Sequence, residues 1–135
     1  MKAIPSISKY MTTLPHTIGA EQTLDKASKL MNELRVRHLP VLSGGKLVGV
    51  LTERDIQLVE TFKDVDPEVL KVSEAYSPEP YITSPGSSLA EVCEYMAKKK
   101  YGCTLVCDNN KLVGIFTWVD ALNAMNELLS TRLKQ

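Results

Sequence analysis

Residues 46–55 read KLVGVLTERD and residues 111–120 read KLVGIFTWVD, so Lys, Leu, Val, Gly, Thr and Asp return at an offset of 65. The same offset pairs Ile7 with Val72, Pro15 with Pro80, Thr23 with Ser88, Leu24 with Leu89, Met31 with Met96 and Val41 with Val106, without a gap. A constant offset over most of the chain is the mark of an internal duplication. A lobe of about 60 residues buries only a modest fraction of its surface and is marginal alone, so the two copies are expected to share a core.

Both copies change periodicity in the same order. A short extended piece (His16–Ile18, Tyr81–Thr83) leads into a helix with Leu24, Ala27, Leu30, Met31 and Leu34 on one face, matched by Leu89, Val92, Cys93 and Met96. Thr23 and Ser88 stand at the helix starts as caps, and Ser88 with Glu91 has capping-box spacing. Two β-rich runs follow in each copy, HLPVL and KLVGVLT, then CTLVC and KLVGIFT. Ser43-Gly44-Gly45 and Asp108-Asn109-Asn110 separate them and suit hairpin turns, which need positive φ. A second helix is predicted over 53–62 and again over 118–133, making the unit β-α-β-β-α, twice, in an α+β chain. Residues 1–62 form an arm and repeat 1, 63–71 a connector, and 72–135 repeat 2. In the connector, Asp66-Pro67 predicts an N-cap and first turn of a short helix.

Composition narrows the function. At 44% hydrophobic and 24% charged, the chain has an ordinary globular balance, and sixteen basic residues offset sixteen acidic ones. No net field draws in nucleic acid or an anionic membrane, so an anion site must be local. Three cysteines (Cys93, Cys103, Cys107) without CxxC spacing, and an N-terminus without a long apolar core, predict a cytoplasmic protein. No apolar run approaches the roughly 20 residues a membrane span requires. GxSxG, P-loop and HExxH patterns are absent, and His16 and His38 lack metal-ligand spacing, so neither an enzyme nor a metal site is expected.

Each copy resembles a CBS domain, the repeat named after cystathionine β-synthase. The resemblance is carried by TIGAEQTLDKASKLMNELRVRHLPVLSGGKLVGVLTERDI and ITSPGSSLAEVCEYMAKKKYGCTLVCDNNKLVGIFTWVDAL, in order, spacing and motif. It implies an intramolecular pseudo-twofold pair with two clefts that bind an adenosine-containing nucleotide of the AMP, ADP or ATP class as a regulatory ligand. It also implies a role in regulating a partner protein, and homodimerisation through helices. S-adenosylmethionine or cyclic di-AMP as ligand, or a ligand-free assembly module, are the alternatives. No cofactor is implied.

The resemblance also implies site residues. One cleft would combine Thr52 and Asp55 with Ile82, Thr83, Tyr101, Gly102 and Cys103, with Arg54 adding a cation. The other would combine Thr117 and Asp120 with Thr17, Ile18, Val36, Arg37 and His38. An ionised Asp offers two acceptor oxygens to neighbouring ribose hydroxyls, and a helix start favours phosphate. Thr-x-x-Asp is equally a purely local cap satisfying helix-end amides. Arg37 and His38 could answer phosphate or line a solvated strand edge. Gly49 and Gly114, inside strands, predict a close approach, first by the opposite lobe and second by a ligand. Trp118 is expected to pack at a lobe interface rather than stack on a base.

Overall fold

A computed structural model describes residues 3–62 and 64–132. It divides into two compact units, His16–Pro80 and Met1–Pro15 with Tyr81–Gln135. These cuts do not follow the sequence repeats. Each unit takes the helix, hairpin and second helix of one copy, together with the segment that opens the other.

In the first unit, β2 (Ile18–Gly19) runs parallel to β3 (His38–Ser43), which forms a hairpin with β4 (Lys46–Thr52). The far edge is β5 (Ser77–Pro78), antiparallel to β4, giving the order β2-β3-β4-β5. Helices α1 (Leu24–Leu34) and α2 (Glu53–Glu60) complete the unit. In the second unit, β1 (Thr12–Thr13) pairs antiparallel with β8 (Lys111–Thr117), and the order is β1-β8-β7-β6. Here β6 (Ile82–Thr83) is parallel to β7 (Cys103–Asp108), and the helices are α3 (Leu89–Lys99) and α4 (Trp118–Arg132). The fold is α+β throughout.

The predicted helix faces are the ones the cores use. Leu24, Ala27 and Met31 of α1 are buried with Leu39, Val41, Leu51 and Val72. Leu89, Val92 and Met96 of α3 are buried with Ile7, Val106 and Phe116. Thr23 and Ser88 cap these helices, accepting from the amides of Lys26 (3.2 Å) and Glu91 (3.4 Å). Gly44, Gly45, Asn109 and Asn110 all take positive φ, as two-residue hairpin loops demand.

Two details differ from the expectations. The Asp66-Pro67 segment makes one turn rather than a helix: Asp66 accepts from the Glu68 amide at 2.9 Å, and its carbonyl takes the amides of Val69 and Leu70. The chain then turns inward, where the carbonyl of Leu70 takes the Leu24 amide at the start of α1, so a longer helix would have forfeited that contact. Helix α2 ends at Glu60, with Thr61 as its C-cap; the end predicted for α4 at 133 lies outside the described residues. Gly49 and Gly114 are each approached by chain of the other copy, as expected, through the edge strand of their own sheet. A Cβ on Gly49 would collide with the carbonyl oxygen of Ser77 and the ring of Tyr76, and one on Gly114 would lie 2.7 Å from Met11 Sδ and 3.0 Å from the Thr12 carbonyl oxygen. The edge strands β5 and β1 require these glycines.

Candidate functional site

The end of β4 and start of α2 hold the first Thr-x-x-Asp. Thr52 is the N-cap of α2: its hydroxyl accepts the Asp55 amide at 3.0 Å, while Asp55 Oδ2 accepts the Thr52 amide at 3.0 Å. This reciprocal pair is a capping box with Asp in the usual Glu position. Thr117 and Asp120 repeat it, at 2.9 Å from the Thr117 amide to Asp120 Oδ2 and 3.4 Å from the Asp120 amide to the Thr117 hydroxyl. The local reading of the motif is therefore real in both copies.

Both carboxylates make further contacts, among them the Thr117 hydroxyl donating to Asp120 Oδ2 at 3.3 Å. Ser77 Oγ, on β5, lies 3.3 Å from both oxygens of Asp55. Thr12 Oγ1, on β1, donates to Asp120 Oδ1 at 3.3 Å. Ser77 and Thr12 are themselves separated by 65 positions, so one relationship is built twice with the copies exchanged. Sequence reasoning passed over both hydroxyls. The offset that aligned the repeats was the available signal, but it aligned each arm with its own copy, whereas each arm packs on the other.

The remaining expected residues fall within single units as follows. His38 opens β3 opposite Thr52, and the carbonyl of Arg37 takes the Glu53 amide at 2.9 Å, so this bend is tied to the first turn of α2. Val36 is half-buried, its amide bonded to the Met31 carbonyl. Thr17 precedes the buried Ile18 on β2, and Arg54 is exposed on α2. In the second unit, Cys103 pairs with Thr117, and the Gly102 carbonyl takes the Trp118 amide at 3.0 Å. Ile82 is 50% exposed, and Tyr101 is also exposed. The Thr83 hydroxyl is 3.1 Å from that of Thr104, a fully buried polar side chain not singled out in the sequence. Thr104 also bonds the Tyr81 carbonyl at 3.0 Å and so fastens β6 to β7.

Electrostatics separate these groups. Burial pushes the His38 imidazole below its ordinary value, helped by Arg37 and opposed by Asp55 and Glu53. It is a neutral donor or acceptor near pH 7 rather than a second cation beside Arg37. Burial raises the Cys103 thiol to about 12, which leaves it a small apolar side chain. Among the described residues no cluster of His, Cys, Asp or Glu has metal-holding geometry, and no helix is long and apolar enough to cross a membrane.

The helix faces of the two units differ more than their sheets. A groove of about 470 Å³ between α3 and α4 is lined by Cys93, Met96, Ala97, Trp118, Ala121 and Leu122. The equivalent positions between α1 and α2, Ser28, Met31, Asn32, Glu53, Ile56 and Gln57, line a smaller and more polar cavity of about 210 Å³. Trp118 belongs to this helix-side surface.

Comparison with known proteins agrees with this architecture. The family model described as CBS domain matches residues 7–59 and 72–127. The CBS domain-containing protein YhcV of Bacillus subtilis is 36% identical over 122 residues, covering 90% of this chain and 86% of that protein. An inosine-5'-monophosphate dehydrogenase of Korarchaeum cryptofilum is 26% identical over 132 residues, which is 97% of this chain but 26% of the enzyme. Among solved structures, CBSX2 in complex with AMP superposes with a TM-score of 0.79 at 24% identity, covering 92% of this chain and 98% of that one.

Proposed function

Because the chain belongs to the CBS domain family, we propose that it is a non-catalytic, cytoplasmic sensor of an adenosine-containing nucleotide of the AMP, ADP or ATP class. The observation carrying this reading is the duplicated carboxylate at a helix start. Asp55 and Asp120 each spend one oxygen on a backbone amide and keep acceptor capacity on the carboxylate. Two neighbouring ribose hydroxyls are donors of the matching number, and the helix amides nearby favour phosphate. The AMP complex of CBSX2 supports the ligand class.

In this reading the ligand contacts come from Thr52, Asp55, Arg54, Thr17, Ile18, Val36, Arg37 and His38 in the first unit and from Thr117, Asp120, Ile82, Thr83, Tyr101, Gly102 and Cys103 in the second. Arg37 supplies charge to phosphate and His38 a neutral hydrogen bond. Occupancy is passed to a partner protein, and the protein is a homodimer. The dimer reading is supported by Trp118, Leu122, Met125 and Leu129, all exposed on α4 at spacings of four, three and four.

Calorimetric titration with AMP, ADP and ATP tests the ligand reading, alongside mass spectrometry of the gently purified protein for a retained nucleotide. Asp55→Asn and Asp120→Asn keep an oxygen for the cap but replace the second acceptor with a donor. Loss of binding with little loss of stability is the expected result. No heat and no melting shift at millimolar nucleotide would favour the second reading, a ligand-free assembly module, for which the existing cap and arm contacts of both carboxylates argue.

A further inference from the structure

We infer that Ser77 and Thr12 are positioning residues that aim the carboxylates of Asp55 and Asp120 at a ribose diol; the inference rests on the ribose reading above. A carboxylate has about four lone-pair sites and rotates about its last bond unless held. The backbone amide of Thr52 or Thr117 fixes one oxygen, at 3.0 and 2.9 Å. At Asp55 this single contact leaves the plane of the group undetermined, while at Asp120 the Thr117 hydroxyl adds a second contact to the same oxygen at 3.3 Å. The hydroxyl of Ser77, within 3.3 Å of both Asp55 oxygens, and that of Thr12, at 3.3 Å from Asp120 Oδ1, supply the second point. At Asp55 one amide and one hydroxyl use two sites and leave two, the number a vicinal diol can fill; at Asp120 the amide and the hydroxyls of Thr117 (3.3 Å from Oδ2) and Thr12 use three and leave one.

Two further observations separate this role from plain strand packing. The residue changes from Thr to Ser between the copies while the hydroxyl and its carboxylate partner stay. The backbone that carries each hydroxyl also lies close to a glycine on the neighbouring strand, the Thr12 carbonyl against Gly114 and the Ser77 carbonyl against Gly49, which sets the hydroxyl-bearing strand close to the strand that leads into the carboxylate's helix. The consequence is that each ribose subsite depends on chain belonging, in sequence, to the start of the other copy.

The test uses the full chain carrying Asp120→Asn, so that Asp55 alone reports, titrated calorimetrically with AMP and with 2′-deoxy-AMP. Adding Ser77→Ala is expected to weaken AMP binding on the order of threefold to tenfold and to narrow the preference for AMP over the deoxy form, and Ser77→Thr is expected to restore both. An equal loss for the two nucleotides would assign Ser77 to strand packing, and unchanged AMP affinity would make it a bystander; either overturns the inference while leaving the ribose reading intact. If the chain with Asp55 and Ser77 both intact shows no preference for AMP over its deoxy form, the ribose reading itself fails and takes the inference with it. The mirror experiment, Thr12→Ala with Asp55→Asn, is expected to give the same direction with a smaller change, because the Thr117 hydroxyl still holds Asp120 Oδ2.

Discussion

Thr12 and Asp120 stand 108 residues apart in the chain, and their side chains meet at 3.3 Å. The same contact joins Ser77 to Asp55. Neighbouring bonds follow the same exchange: the Leu89 amide bonds the Pro5 carbonyl and the Leu24 amide the Leu70 carbonyl, while the Ile7 amide bonds the Ser87 carbonyl and the Val72 amide the Gln22 carbonyl. Every member of one set is the other displaced by 65 with the copies traded. A compact unit therefore needs chain from both copies, which ties the folding of each to the other.

The N-terminal arm should consequently behave as core. Ile7 is fully buried among Val92, Met96 and Phe116. Ile7→Ala is expected to destabilise the protein by about 3 kcal/mol, measured as a drop in the urea midpoint at unchanged slope. A change below about 0.5 kcal/mol, ordinary for a surface position, would show that the arm is not packed there.

Gly49→Ala should be among the most damaging single-methyl additions. The new Cβ meets the Ser77 carbonyl oxygen and the Tyr76 ring, so β5 must move, at about 2–3 kcal/mol. Gly114→Ala is expected to cost less, because its nearest obstacle is the flexible end of Met11. Thermal melts of the two variants, ranked against each other, check the order.

The repeat, the helix faces and the hairpins were legible because each rests on local periodicity or turn chemistry. Leu24, Ala27 and Met31 announce a face at helical spacing, and Asn109-Asn110 announces a turn, whatever packs nearby. The strands β1 and β5 were not legible: two residues each, they carry no period, and their pairing with β8 and β4 is a long-range choice. The same blindness hid Ser77 and Thr12. Thr-x-x-Asp was visible as a cap and as a carboxylate, but which groups occupy its second oxygen depends on those unseen edges.

Thiol chemistry should discriminate among the three cysteines. Cys103 is buried with its thiol raised to about 12, whereas Cys93 and Cys107 are half-buried with smaller upward shifts, all caused by burial. Since the thiolate is the nucleophile, the native protein at pH 8 should react with a disulfide reagent at Cys93 and Cys107 first, and at Cys103 only as fast as the protein opens. Peptide mapping of early time points provides the check; early modification of Cys103 would contradict its burial.

Stability should fall on mild acidification because of His38. The folded state holds this imidazole below its ordinary value of 6.5, chiefly through burial and secondarily through Arg37, against the opposing pull of Asp55 and Glu53. In the window from about 6.5 down to the lowered folded value, the unfolded chain binds the proton and the folded chain does not. Stability then rises with pH. The contribution is complete about a unit above 6.5, is lost as pH falls, and levels off once the folded imidazole also protonates. His38→Gln removes the titration while His16 remains in both proteins, so the difference between them isolates His38. Urea unfolding at pH 8, 7 and 6 should show the parent losing stability relative to His38→Gln at each step. Parallel curves, or a parent that gains on acidification, would mean that Asp55 and Glu53 outweigh burial and that the folded imidazole carries charge.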